Sequence, residues 1–213
     1  MTETVEGLTG QCRATLSKLC GGGVVEDDEF DRLFPRYVRA LSAFQWSPVA
    51  VAARAASLLV TDSTTRVLDV GCGPGKFCFI GALTTPGHFY GIEQRDHLVI
   101  EGETIRTNFD IPRVSLIHGN MTQLDWHAFD AFYFFNPFYE NIAAFAQIDG
   151  LLPANGKIFV DYVEFVRSRL LAARIGTRVA AYQGFGGTFP EEYEMTHSES
   201  AGSDVVELWL KTR

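Results

Sequence analysis

The chain has 213 residues and a formal net charge of −8, with 46% hydrophobic and 21% charged residues, a globular balance that excludes collagen-like and disordered classes. A chain of this length buries a full core without disulfides or a structural metal. Its acidity opposes sequence-indifferent binding to a phosphate backbone, and no uninterrupted apolar run is long enough to span a bilayer.

The chain starts acidic, Met1-Thr2-Glu3-Thr4-Val5-Glu6, where a secretory signal starts basic. A helix is expected over residues 8–19. Gly21-Gly22-Gly23 and the acidic patch Glu26-Asp27-Asp28-Glu29 then separate this arm from the rest. Phe30, Leu33, Phe34, Tyr37, Val38, Leu41 and Phe44 recur at helical spacing, with a break at Pro35. Ser47-Pro48 reads as an N-cap followed by proline at the first helical position. It opens a helix with Val49, Ala52, Ala53, Ala56 and Leu59 on one face. From residue 66 the pattern predicts strands over 66–70, 88–93, 114–118, 130–135 and 157–163, with helices over 77–83, 95–109 and near 141–151 between them. Such alternation marks a parallel α/β sheet. Residues 193–198 and 205–210 flank Ser200-Ala201-Gly202-Ser203 as a hairpin closing one edge. Cys12, Cys20, Cys72 and Cys78 lack zinc spacing and suit reduced thiols of the cytoplasm. His97, His118 and His127 have no metal-ligand spacing, so no metal is expected.

The most informative stretch is Val67-Leu68-Asp69-Val70-Gly71-Cys72-Gly73-Pro74-Gly75-Lys76-Phe77. A buried strand runs into three glycines at alternate positions and then a helix. Glycine suits backbone that turns tightly or approaches a ligand, and the free N–H groups of a helix start attract electron-rich groups. In open α/β sheets this is where nucleotides bind. Lys76 stands where a dinucleotide fingerprint needs a third small residue, and no Lys-Ser/Thr pair makes a P-loop. Glu93 ends the second strand twenty-two positions after Gly71, an offset at which a carboxylate accepts from ribose hydroxyls. The loop therefore suits a nucleoside without a pyrophosphate.

Three features resemble the class I, Rossmann-like S-adenosylmethionine-dependent methyltransferases. They are Leu68 to Gly75, the acid-ended strand Tyr90-Gly91-Ile92-Glu93, and Leu151-Leu152-Pro153-Ala154-Asn155-Gly156-Lys157, which is similar to the family's turn before strand five. The resemblance implies S-adenosyl-L-methionine as cofactor. It implies that Asp69 holds the methionine amino group, that Gly71, Cys72, Gly73 and Gly75 pack against the methionine part, and that Glu93, with Gln94 beside it, binds the ribose. Asn120 would replace the family's adenine-binding acid, with Met121 against the purine.

Strand four ends in Phe134-Phe135-Asn136-Pro137-Phe138-Tyr139-Glu140-Asn141. Sulfonium is a good leaving group, so the protein mainly aligns a nucleophile and excludes water. The side-chain carbonyl of Asn136 and the backbone carbonyl of Pro137 can hold one amino group with its lone pair towards the methyl carbon. Tyr139 can stack on a planar substrate. The segment resembles the Asn/Asp-Pro-Pro-Tyr/Phe motif of methyltransferases acting on amide or exocyclic amino nitrogens, with Phe138 in place of the second proline. The plainer reading is a strand-end asparagine beside core aromatics. Trp46-Ser47-Pro48 is either a helix cap or a contact for the cofactor carboxylate. Arg167, Arg174 and Arg178 share a helical face, solvated or facing an acidic substrate. Gly184-Phe185-Gly186-Gly187 is a connection or a mobile lip.

The expectation is a seven-stranded, mostly parallel, doubly wound sheet with an antiparallel C-terminal hairpin. A helical extension or lid over residues 1–60 would precede a cofactor-binding domain over 61–213. The expected activity is methyl transfer to an amine or amide nitrogen of a small molecule or protein. DNA is disfavoured as a partner and a structured RNA left open; no membrane partner is expected. An aminopropyl transferase on the same fold and a non-catalytic cofactor-binding scaffold are the alternatives.

Overall fold

In the computed structural model, which describes residues 5–213, the first helix, α1 (Val5–Cys20), contains the expected arm. The stretch after it breaks into short helices, α2 (Asp27–Phe30), α3 (Arg36–Arg39) and α4 (Ser42–Gln45), before α5 (Val49–Leu59). Phe30, Leu33, Phe34 and Val38 of that stretch are buried, whereas Phe44 stays 83% exposed. Ser47 does not cap α5: its hydroxyl meets the Tyr133 hydroxyl at 2.6 Å. The Asp27 carboxylate caps the helix instead, accepting the Val49 N–H at 2.9 Å.

Strands β1 (Arg66–Val70), β2 (His88–Glu93), β3 (Val114–His118) and β4 (Ala131–Phe135) follow, with α6 (Lys76–Thr84) and α7 (Asp96–Asn108) as the first two crossovers. After β4 come α8 (Gly156–Ala172), β5 (Arg178–Tyr182), β6 (Tyr193–Ala201) and β7 (Asp204–Lys211). The sheet order is β3-β2-β1-β4-β5-β7-β6. The first five strands are parallel, and β7 lies antiparallel between β5 and β6. The edge strand β6 is kinked by a bulge between Met195 and His197. This is the expected seven-stranded sheet with a C-terminal hairpin.

Side chains along each strand alternate between two cores. Val67, Ala131, Tyr133 and Ala180 face α1, α5, α6 and α7, while Leu68, Val70, Phe132, Phe134 and Val179 face α8. Helix α6 is apolar on every side because α1 and α5 cover it opposite the sheet; Phe77 to Ile80 are all buried. The α8 side is filled by aromatic rings, with Trp126 stacked on Phe132 at 4.8 Å and Phe134 against Phe185 at 5.5 Å.

Two expected elements are corrected. Residues 157–163 are helix, the start of α8, and the fifth strand is β5. Asn155 decides the start: its Oδ1 accepts the Ile158 N–H at 3.0 Å, so the chain enters a helix where a strand was expected. Phe159, Tyr162, Val163, Val166 and Leu170 then pack at helical spacing on the sheet. The segment from Leu151 to Lys157 is therefore a helix start and not the turn before strand five. Residues 141–151 form 3₁₀ turns at 139–141 and 144–146 within a loop instead of a helix. Arg167, Arg174 and Arg178 share no helical face, since Arg178 lies on β5 and Arg174 beyond α8 pairs with Asp130.

The N-terminal helices are tied to the glycine loop by charge. Lys76, at the start of α6, is 3% exposed, and its Nζ lies 2.7 Å from Asp27 and 2.8 Å from Asp31. Full pairing is what permits a lysine to be buried.

Candidate active site

The carboxyl ends of β1 to β4 open into a cleft whose lining includes Gly71, Gly73, Glu93, Met121, Asn136 and Tyr162. Gly71 (φ +77°) and Gly75 (φ +89°) adopt left-handed backbone that side chains rarely enter. They are also crowded: a Cβ on Gly71 would lie 3.1 Å from Pro137 Cβ, and one on Gly75 would meet Leu116 at 2.9 Å. Gly73 has only the Trp46 indole within 4 Å of such a Cβ, at 3.8 Å, so its backbone stays approachable.

Asp69 belongs to a smaller compartment beside Gly71, shared with Gln45, Trp46, Lys76 and Tyr133. Its carboxyl is buried and, among the described residues, its one hydrogen-bond donor is the weak Cys78 thiol, Sγ to Oδ2 3.8 Å. Burial pushes its pKa up to about 8. Cys72 is buried nearby, and burial raises its thiol well above the ordinary value, so it is no ready nucleophile.

Glu93 is also buried. One carboxylate oxygen accepts the Gly73 N–H at 3.2 Å and the other the Arg95 N–H at 2.9 Å. Burial raises its pKa, against the lowering pull of these donors and of the Arg95 charge. Beyond it, Gln94, Asn120 and Tyr162 close a hydrogen-bonded triangle. The Asn120 amide donates to Gln94 Oε1 at 3.1 Å and to the Tyr162 hydroxyl at 2.7 Å, and that hydroxyl donates to Gln94 at 3.2 Å. Asn120 Oδ1 is taken by Thr122. Met121 is buried and lines the cleft.

Asn136 sits at the end of β4 with φ +41°, a left-handed conformation that asparagine tolerates better than most residues. Its N–H donates to the Gly184 carbonyl at 2.9 Å, which ties the segment from Gly184 to Gly187 to the site. Asn136 and Pro137 line the cleft; Tyr139 does not. Tyr139 is 38% exposed on the outer rim, edge-on to Phe145. Phe138 turns inward in its place, its ring 5.3 Å from Tyr162. Phe185 is fully buried against Phe134 and anchors that connection to the core, while Gly186 and Gly187 beside it are exposed.

Sequence reasoning missed two residues of the cleft. Tyr162 arrives on α8, at a position expected to be strand. Arg95 was assigned only to a helix, yet its side chain is 2% exposed and pairs across the cleft with Glu140 at 2.7 Å and Asp149 at 3.1 Å. Its one sequence signal is an arginine two positions after the acid that ends the strand. Among the described residues, no group of three or more His, Cys, Asp or Glu side chains could hold a metal ion, and no helix is long and apolar enough to cross a membrane.

The fold is that of a Rossmann-like enzyme, with a cleft at its first βα turn. The chain belongs to the methyltransferase domain family, whose model matches residues 61–196, and it is an S-adenosylmethionine-dependent methyltransferase. Among solved structures it is similar to an RNA methyltransferase from Salinibacter ruber in complex with S-adenosyl-L-homocysteine (TM-score 0.57, 16% identity, 78% of this chain and 94% of that one). It is also similar to TrmN from Thermus thermophilus (TM-score 0.57, 16% identity, 83% of this chain and 52% of that one). A putative O-methyltransferase from Klebsiella pneumoniae aligns over nearly the full length (TM-score 0.57, 15% identity, 97% and 100%). At these identities the likeness is one of fold. Among curated proteins, none matches.

Proposed function

We propose that the chain methylates an amine or amide nitrogen of a small molecule or protein side chain, held by the Asn136 side-chain carbonyl and the Pro137 backbone carbonyl. One observation carries this reading. Asn136 keeps a left-handed backbone at the cleft, and among the described residues its side-chain amide has no hydrogen-bond partner. A polar group held in an uncommon conformation without an internal partner is suited to an external one.

The cofactor supplies a methyl group on a sulfonium centre. The residues present fit it: a buried carboxyl at Asp69 with only a thiol donor suits an ammonium, and Glu93 suits ribose hydroxyls. Gly71, Cys72, Gly73 and Gly75 would line the methionine part, and Gln94, Asn120 and Met121 the adenine. Asn136 and Pro137 would accept two hydrogens from the acceptor nitrogen, which aims its lone pair. The N-terminal residues 1–60 would serve as the lid. Leu41, Gln45 and Trp46 line the cleft, and Gln45 donates to the Ala146 carbonyl at 2.7 Å across its mouth. Tyr139, on the rim, would reach only the outer part of an acceptor.

Among the described residues Arg95 is the one Lys or Arg lining the cleft, and three carboxylates surround it. That favours neutral or cationic acceptors over RNA phosphates, whatever the RNA methyltransferases of similar fold bind. The test is S-adenosylhomocysteine release from S-adenosylmethionine with fractionated small amines, peptides and RNA. Asn136→Gly keeps the left-handed backbone accessible and removes the amide. It should bind cofactor within about threefold of wild type and lose about 100-fold in turnover, the usual cost of a misplaced reactant. Unchanged turnover would refute the assignment.

A further inference from the structure

We infer that Arg95 is a positioning residue that couples cofactor binding at Glu93 to the order of the acceptor-side segment, residues 138–151. The inference rests on the cleft holding the cofactor ribose at Glu93.

The observations are geometric. One guanidinium, buried to 2% exposure, reaches three carboxylates from three places in the chain. Its Nη1 and Nη2 form a fork on Glu140 at 3.0 and 2.7 Å, and its Nε donates to Asp149 at 3.1 Å. Nη1 also lies 3.7 Å from Glu93 Oε1. Glu93 ends β2, whereas Glu140 and Asp149 stand near the two ends of the segment that follows Asn136. That segment has little else to hold it. Its only regular structure is 3₁₀ turns, and although Phe138, Ala143 and Ala146 are buried, Ile142, Phe145 and Leu151 face outward, 52%, 83% and 70% exposed. Its other ties to distant elements are the hydrogen bond from Gln45 to Ala146, the Phe138 ring against Tyr162 of α8, and His97 of α7, 3.8 Å from Asp149.

The charge balance gives the coupling its sign. Glu93 now divides its lone pairs between the Gly73 N–H, the Arg95 N–H and the Arg95 charge. Ribose hydroxyls donating to Glu93 take over part of that demand, and the guanidinium is then held more by Glu140 and Asp149. Cofactor binding therefore tightens the segment that directly follows the acceptor residues Asn136 and Pro137, and by linkage an ordered segment tightens cofactor binding by the same factor. Lysine does not substitute, because a point charge lacks the planar fork that spans Glu140 and Asp149 together.

The test uses the full chain with S-adenosylhomocysteine as probe, reading its affinity by calorimetry and amide hydrogen exchange over residues 138–151. In wild type the probe should slow exchange there about tenfold, within the usual range of site coupling. Arg95→Lys should weaken binding about fivefold and abolish the probe-dependent slowing. Glu140→Gln, altered at a partly exposed position, should also abolish the slowing while leaving Glu93 untouched. Wild-type slowing retained in both variants would overturn the inference with the cofactor site intact. No probe binding by folded wild type would instead overturn the cleft assignment itself.

Discussion

At the scale of single residues, the proposed contact between Asp69 and the cofactor ammonium carries a pH prediction. Burial lifts its pKa from the ordinary 3.8 to about 8, so the free protein holds a proton there at neutral pH. A cofactor ammonium favours the carboxylate and expels that proton. Cofactor affinity should then rise with pH towards about 8, by at most about tenfold per unit, and level off above it. Calorimetry in two buffers of different ionisation enthalpy should read proton release at pH 7, and Asp69→Asn should abolish it. A pH-independent affinity would show that Asp69 does not meet the ammonium. The same group affects the empty fold. Its folded pKa lies above the unfolded one, so its contribution to stability is full below about pH 3.8 and is lost as pH rises through about 8. Asp69→Asn should therefore gain in melting temperature, relative to wild type, more at pH 8 than at pH 4.

At the scale of elements, the start of α8 turns on one side chain. Asn155→Ala should cost about 1 kcal/mol, seen as a fall in melting temperature of about 2–4 °C for a chain of this size. An unchanged melting curve would mean that the Asn155 amide contributes nothing to the helix. This helix also shows where sequence reading stops. Strands β1 to β4 were legible because each is a short apolar run bounded by turn residues, and the glycine loop because its spacing follows from backbone geometry. Residues 157–163, Lys-Ile-Phe-Val-Asp-Tyr-Val, are as apolar and β-branched as a strand, and a window that short carries no decisive period. Only over Phe159 to Leu170 does the helical repeat emerge. The real fifth strand, Arg178-Val179-Ala180-Ala181-Tyr182, has two alanines at its centre, and its burial comes from β4, β7 and α5 and not from its own apolar bulk. Arg95 was illegible for a related reason: Glu140 lies 45 positions away along the chain. Asn136 and Pro137 were legible as residues lining the site, whereas the exchange of Phe138 for Tyr139 depended on Tyr162, supplied by the misread helix.

For the whole molecule, the N-terminal helices and the sheet share one core, running from Cys12 on α1 to Leu208 on β7. Lys76 joins the two parts through Asp27 and Asp31, and Asp27 also caps α5. A single cooperative thermal transition should result, and S-adenosylhomocysteine at about 100 times its Kd should raise its midpoint by about 5–10 °C. Two resolved transitions, with only the later one moved by ligand, would show that residues 1–60 unfold on their own.

The bulged edge strand has a further consequence, for how these molecules behave in a crowd. Glu194, Thr196, Ser198 and Ser200 of the edge strand β6 are all exposed, along a backbone already kinked between Met195 and His197. A second copy adding its strand there would have to follow that kink and bury acid and hydroxyl groups. The open end of the sheet is thus a poor template for growth, and fibre formation would have to start from some other part of the chain.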